Sequence, residues 1–573
     1  MPGAMILTST PHTLLPSHFQ GMETIQDFRG LQYPFTTDPI LRHAYDANNV
    51  EYATSSYQID HDMFPGLIAF PQNDDDIQKA VKYAKDNGYP ISVMSGGHQY
   101  SGACSTHGKG IQLNLKLTYK GPQDLVMLPQ LPAPNGNKPL VYVSVSQSLG
   151  EFNQFLQDRQ LFVPHGQCTD VRLGGHAQTG GYGQLGRSFG LLGDHIWGIR
   201  MINHDGKIQE VTKASNAELF YAILGGSPGN FGVITHYTIE AHRDADHDFP
   251  EIGPRPHGFK GVWLYRDTVL KLLLNEVAAM ADDPEFPRNF DLCVSVVSSS
   301  FTMLKLIPEL KDNMAEILQR IAEAVGVNGD TKFPACIVLY AQWVPMNAED
   351  KYTDKVDEWF QRFRNLDSFF KYWCIHAAEP IEPVSKMTSE WLFAAPREFD
   401  HPYEKRCYMT NSTTLVQDKW VDQVADQIHQ VLTPSLSHLA LWKNCFLSVQ
   451  IQCFGGKYSQ FYANRNNGTS YSWRNSTVCQ VLDCFYKDGE EGKALAKGWQ
   501  AENDKLMCGE NSRFSKQDKR VLWASYGDWD MDKSWPFYYE CQAKYERIGR
   551  QRGLADPRGT FTPNPFSVKA VKD

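Results

Sequence analysis

A histidine and a cysteine stand where glycines crowd this chain. Ser95-Gly96-Gly97-His98 follows the apolar run ISVM at 91–94. Just after a strand, successive free backbone N–H groups can form a nest for an anion. A second run, Cys168-Thr169-Asp170-Val171-Arg172-Leu173-Gly174-Gly175-His176, leads into Gly180, Gly181 and Gly183, and a third glycine group spans 225–232. Glycines clustered this way allow positive φ and close backbone approach to a ligand. As a set they suggest one extended cofactor with a pyrophosphate and no lysine-based phosphate grip. They also read as tight turns in a β-rich domain. Taken alone, Cys168 reads as an inert buried thiol and His98 as a turn residue.

Other motif matches fail on context. Gly181-x-Gly183-x-x-Gly186 spells the dinucleotide fingerprint, which needs a strand before it and a helix after it. Here HAQT precedes and more glycine-rich loop follows. Gly225-Gly226-Ser227-Pro228-Gly229 spells GxSxG, but a nucleophile elbow runs from strand to helix. This segment runs from helix to strand, with Pro228 in the turn. No HExxH or comparable spacing occurs among the 18 histidines, so no metal site is expected.

The elements that must carry these loops are partly legible. GLIAF (66–70) reads as a strand. Asn73 caps a helix whose first turn holds Asp74, Asp75 and Asp76, where negative charge suits the helix dipole. Gly88 and Pro90 end that helix, and ISVM is the next strand. The stretch 121–139, rich in Pro, Gly and Asn, reads as a surface excursion before the strand VYVSV (141–145). Ser148-x-x-Glu151 is a capping box opening a helix. WGIRMI, KIQEV and FGVITHYTI are strands, with a helix at 217–224. Beyond residue 245, helices at 267–281 and 311–325 lie among the strand-like runs CVSVVSS, ACIVLYAQW and FLSVQIQCF, which suggests a second α+β unit with antiparallel strands. A further helix is expected near 536–550.

Bulk properties narrow the function. With 573 residues, two or three domains are expected, and 42% hydrophobic with 21% charged residues is a globular composition. A net charge of −10 and no long basic run argue against nucleic acid or an anionic membrane as partner. The start shows no cationic segment followed by a signal-length apolar core, so a cytoplasmic location is expected. Twelve cysteines without a CxxC pair suggest reduced thiols rather than a disulfide framework. The triplets at Asn411, Asn467 and Asn475 are expected to stay unmodified.

At the glycine segments the chain resembles the vanillyl-alcohol oxidase superfamily, with its PCMH-type FAD-binding domain, and within it the berberine-bridge-enzyme-like oxidases. PISVMSGGHQYSG resembles the family's strand followed by R-S-G-G-H. GQCTDVRLGGHAQTGGYGQLGRSFGLLGDHI and LFYAILGGSPGNFGVIT resemble two further family segments. Residues 466–474 fit a substrate-domain region loosely, and Tyr545-x-Arg547, Asp556-Pro557 and FTPNPFSV resemble the closing pattern. The resemblance implies an α+β, two-domain flavoprotein. An N-terminal arm (1–60) would precede an FAD-binding domain (61–245), an antiparallel-sheet substrate domain (246–514) and a C-terminal segment (515–573) returning to the FAD domain.

It also implies covalent FAD, with His98 bonded to the flavin 8α-methyl carbon and Cys168 to ring carbon C6. The electron-poor ring system would be open to an imidazole nitrogen or a thiolate. Ser95, Gly96, Gly97, Gln99, Gly174, Gly175, His176, Gly180, Gly181, Gly183, Gly232, Val233 and Asn564 would contact the cofactor. Val171 matches a position associated with oxygen access, which favours an oxidase. The family's Y-x-N-Y segment is matched by SYGDWD, offering Tyr526 as catalytic base, with Tyr538 and Tyr539 as fallbacks. A phenol with an ordinary pKa near about 10 needs a neighbour that stabilises its anion to serve as a base.

The chain departs from the pattern in three places: Met94 replaces an arginine, Arg172 a glycine, and Asn564-Pro565-Phe566 stands for Gln-Ser-Ile. The expected reaction is proton abstraction from a small organic substrate, such as a secondary metabolite, with hydride transfer to flavin N5 and reoxidation by dioxygen to hydrogen peroxide. The rival readings are a dehydrogenase, a flavin-dependent cyclase and a flavin-binding protein without catalysis.

Overall fold

In the computed structural model, the described residues are 30–35, 38–49, 63–98, 104–106, 108–129, 138–251, 253–298, 335–369, 374–378, 382–391, 401–487, 489–508 and 531–571. Gln99, Tyr526 and the helix expected at 311–325 lie outside them.

Three sheets organise these residues. The first joins β1 (Leu31–Pro34), β2 (Leu67–Phe70), β3 (Ile91–Met94) and β4 (Ile111–Asn114) in the order β1-β2-β4-β3. β4 runs parallel to both β2 and β3. A parallel pair needs a crossover, and helix α1 (Asp74–Asn87) supplies it between β2 and β3. The Asn73 side chain accepts from Asp76 N–H at 3.1 Å, and Gly88 ends the helix at φ 70°. The C-terminal tail returns to this sheet. Ile91 N–H donates to Thr560 O at 2.7 Å, and Thr562 N–H donates to Ile91 O at 2.5 Å.

The second sheet contains β5 (Leu125–Met127), β6 (Leu140–Ser144), β8 (Ile196–Ile202), β9 (Ile208–Thr212) and β10 (Val233–Glu240), in the order β5-β6-β10-β8-β9, and is antiparallel throughout. β7 (Leu161–Phe162) pairs with β11 (His242–Arg243) as a short ribbon. β5 corrects the expected excursion at 121–139. Leu125–Met127 pair with β6, because alternating contact with Val141 and Val143 outweighs the local turn composition. Ser148 and Glu151 form both halves of the capping box that opens α2 (Leu149–Gln157).

The third sheet has seven strands: β12 (His257–Leu264), β13 (Phe290–Val297), β14 (Cys336–Trp343), β15 (Cys374–Ala378), β16 (Tyr403–Thr410), β17 (Cys445–Cys453) and β18 (Val478–Tyr486). Their order is β15-β12-β14-β13-β17-β18-β16, every pair antiparallel. One face is apolar. Leu447, Val449, Ile451 and Leu482 pack there with the helices Asp267–Asp282 and Trp420–Leu432 in one core. The opposite face turns toward the glycine-rich loops. At its β12–β14 end, Val262, Val338 and Tyr340 pack on Leu185 and Phe189.

The helix expected near 536–550 is two helices, Met531–Tyr538 and Gln542–Ala555. Among the described residues no helix is long and apolar enough to cross a membrane.

Candidate active site

A cavity of about 1560 Å³, its open mouth included, lies between the glycine-rich loops and the third sheet. His98 and Cys168 both line it, although seventy residues separate them in sequence. Ser95, Gly96, Gly97, Val171, Gly174, Gly175, His176, Gly183 and Gly232 line it as well. β3 delivers the first group: the strand ends at Met94, and Gly97 takes φ 66°, a left-handed turn that glycine adopts without strain. The second group is held by backbone bonds. Val171 N–H donates to Cys168 O at 3.3 Å, and Leu149 N–H donates to Val171 O at 2.8 Å. Helix α3 (Leu173–Gln178) then carries His176. A methyl group on Gly174 would stand 2.7 Å from Ser95 Oγ, so the two glycine segments press directly together.

His176 is a neutral imidazole. Gly166 N–H donates to its Nε2 at 3.1 Å, which leaves the ring proton on Nδ1. Burial, with a smaller push from His165, lowers its pKa to about 3. Cys168 and His98 are half-buried at the cavity wall. A second thiol, Cys104, lines the same cavity, but burial pushes its pKa up to about 11 and keeps it protonated. A protonated thiol is a poor nucleophile, which argues against Cys104 as a tether.

Several other expected site residues lie outside the cavity lining. Gly180 and Gly181 close the loop above it, where their carbonyls accept from Gly193 N–H (2.9 Å) and Leu192 N–H (3.1 Å). Val233 opens β10 opposite Ile202 and is fully buried. Asn564 folds the tail on itself, its Oδ1 accepting from Phe566 N–H at 3.1 Å. Tyr538 and Tyr539 are core residues. Tyr538 packs edge-on to Phe566, and Tyr539 donates to Gly225 O at 3.1 Å while burial raises its pKa well above the ordinary value. A phenol so placed cannot ionise to act as a base.

The third sheet adds residues that the motifs did not reveal. Tyr403 and Lys405 of β16, Ser448, Gln450 and Gln452 of β17, and Val481 and Asp483 of β18 face the cavity. Lys405 and Asp483 are register partners, 3.1 Å apart as an ion pair, with Asp483 3% exposed. Asp483 is the one carboxylate among the described lining residues. The signal was present in SVQIQ (448–452), where polar and apolar residues alternate as on a two-faced strand.

Comparison with known proteins agrees with this geometry. Residues 65–212 match the family described as "FAD binding domain". Residues 65–212 are an FAD binding domain. In the curated set, an FAD-linked oxidoreductase of Dictyostelium discoideum is 26% identical over 258 residues, covering 45% of this chain and 51% of that protein. Berberine bridge enzyme-like 18 of Arabidopsis thaliana is 33% identical over 178 residues, covering 30% of this chain and 31% of that protein. The chain thus spans about half or less of the length of the curated relatives it matches. Among solved structures, Physcomitrella patens BBE-like 1 has a TM-score of 0.64 at 14% identity, covering 95% of this chain and 98% of that one. Glucooligosaccharide oxidase from Acremonium strictum has a TM-score of 0.62 at 16% identity, covering 91% and 95%. At these identities the likeness shows the fold. The fold is that of the two-domain flavoprotein oxidases, as the motif resemblance implied.

The FAD domain's own residues fit the cofactor. The N–H groups around Gly96 and Gly97 border the cavity, no lysine of the glycine loops is among the described lining residues, and Gly175, with nothing within 4 Å of where a side chain would start, leaves open space at the cavity wall.

Proposed function

We propose that the protein is an FAD-dependent oxidase of small organic molecules, with its flavin bonded to both His98 and Cys168. The supporting observation is that these two nucleophile-bearing side chains, from separate glycine segments, meet at one cavity bordered by a polar sheet face. When bound, FAD supplies a two-electron acceptor that dioxygen can reoxidise, releasing hydrogen peroxide. The N–H groups of residues 95–97, which line the cavity, would hold its pyrophosphate. Neutral His176 fixes Gly166, two residues before Cys168, and brings no charge to the cavity wall. Val171 borders the space where dioxygen would approach. Substrate enters against β16–β18, where the carboxylate of Asp483, steadied by Lys405, is placed to take a proton. Tyr526 remains the proposed tyrosine base.

A peroxide-release screen over candidate alcohols and amines tests this reading. The account expects peroxide in step with anaerobic bleaching of the flavin band. Bleaching without peroxide in air marks a dehydrogenase. Conversion of a substrate with neither signal marks a cyclase.

A further inference from the structure

We propose that Arg172 supplies this chain's own cation to the FAD pyrophosphate, beside the turn at residues 95–97. This rests on the proposed flavin reading of the same site and adds a cofactor-binding residue to it. Arg172 and Lys405 are the lysine and arginine side chains among the described lining residues of the cavity. Lys405 is paired with Asp483 on the third sheet, which leaves Arg172 as the cation on the side of the glycine loops. Its side chain starts directly against the first glycine turn. A methyl group on Gly96 would stand 3.0 Å from Arg172 N and 3.2 Å from both Arg172 Cγ and His98 Cδ2.

The protein itself leaves this guanidinium short of partners. Nη1 donates to Ser146 O at 2.5 Å, while Nε is buried with no acceptor. Glu151 Oε2 is 3.9 Å from Nη1, beyond hydrogen-bond reach, and already accepts from Lys120 Nζ (2.5 Å) and Ser148 N–H (2.8 Å). The Arg172 side chain is only 11% exposed. Burial pushes its pKa down, and the attraction of Glu151 and Asp170 does not restore it. Lys116 and Lys120 lie near enough to repel it. Three cations thus share two carboxylates beside the cavity. A buried arginine with a purely structural task has its N–H groups met by protein acceptors. A pyrophosphate supplies the missing negative charge, and its oxygens match the guanidinium fork. The sequence points the same way. Against the family pattern, Met94 stands for arginine and Arg172 for glycine, so a cation absent from the end of β3 reappears on the facing segment beside the same turn.

Arg172→Gln tests the inference in the full-length His98→Ala/Cys168→Ala chain, where FAD binding is reversible and quenching of flavin fluorescence reads its Kd. Circular dichroism on the same samples confirms the fold. The expected result is a Kd raised ~10–100-fold at low salt, as for loss of a hydrogen bond between charged groups. Added NaCl should weaken FAD binding in the parent and do so less in Arg172→Gln, which has lost the attraction that salt screens. Arg172→Lys keeps the charge without the fork, so it should recover part of the affinity and the salt response. A Kd unchanged by Arg172→Gln overturns the inference. So does a raised Kd with the parent's salt response intact, which marks a structural role. Absence of flavin from the unmutated protein refutes the flavin reading itself; flavin present there, with Arg172→Gln binding FAD as the parent does, refutes this inference alone.

Discussion

Replacing Asp194 with asparagine should loosen the loop that closes over the cavity. The Asp194 side chain is 1% exposed and pairs with the Arg474 side chain, 2% exposed, through contacts of 2.5 Å and 2.9 Å. It also accepts from Leu191 N–H (3.0 Å), Asn464 (3.1 Å) and Asn467 (2.8 Å). One carboxylate thus ties the end of the glycine loop to the 464–474 segment, and the Asn467 amide is committed inside this network. In the variant, Arg474 keeps Thr469 Oγ1 (3.2 Å) and Phe461 O (3.3 Å) but no buried counter-charge. Breaking a buried pair from one side costs about 3–5 kcal/mol. At about 2 °C per kcal/mol for a large domain, Tm should fall by roughly 6 °C or more. Differential scanning calorimetry at pH 7, with flavin content measured on the same sample, reads both effects. Asp194→Leu/Arg474→Met, which buries neither charge, should recover most of the loss. Unchanged melting in Asp194→Asn would refute the reasoning.

Further outcomes follow from the same geometry. In Gly183→Ala, the new methyl would sit 1.6 Å from His165 O, a backbone atom that cannot swing aside, so flavin content should collapse; normal loading would show that the loop has slack. His98→Ala and Cys168→Ala should each keep FAD through the remaining bond, and the double variant should release it on gel filtration in denaturant. Stability should also fall with acid. Burial holds the pKa values of His165, His176, His195 and His242 below the ordinary value. The unfolded chain therefore takes up these protons first, from about pH 6.5 downward. Each histidine then removes about 1.4 kcal/mol per pH unit until its folded pKa is reached, which for His176 is about 3. Urea midpoints should drop between pH 7.5 and pH 5.5, and equal midpoints would contradict this.

What the sequence revealed was local. The Asn73 cap, the Ser148–Glu151 box and the strand into Ser95 are decided by residues within a few positions of one another, and the structure contains all three. Family motifs then identified the FAD domain, because glycines that accommodate a bound cofactor keep a fixed order. The cavity floor depended on register instead. Lys405 and Asp483 lie 78 residues apart and meet only because β16 pairs with β18 in that alignment. Cys104 follows the His98 segment without a motif of its own. The tail misled because a tyrosine pair beside a helical pattern reads equally as site or core. Tyr538 and Tyr539 became core once the tail had docked on the Gly225–Gly232 turn, where Ser227 and Asn230 bind its backbone. Met94, where the family pattern has arginine, is buried at the end of β3, 1% exposed, a setting that would strip a guanidinium of its hydration.

The most direct test of the central claim is the absorbance of acid-precipitated protein, followed by mass spectrometry of the peptides containing His98 and Cys168. The account predicts a yellow pellet and a single flavin joining both peptides. A colourless pellet beneath a yellow supernatant would contradict covalent attachment, and protein without flavin in either fraction would contradict the account as a whole.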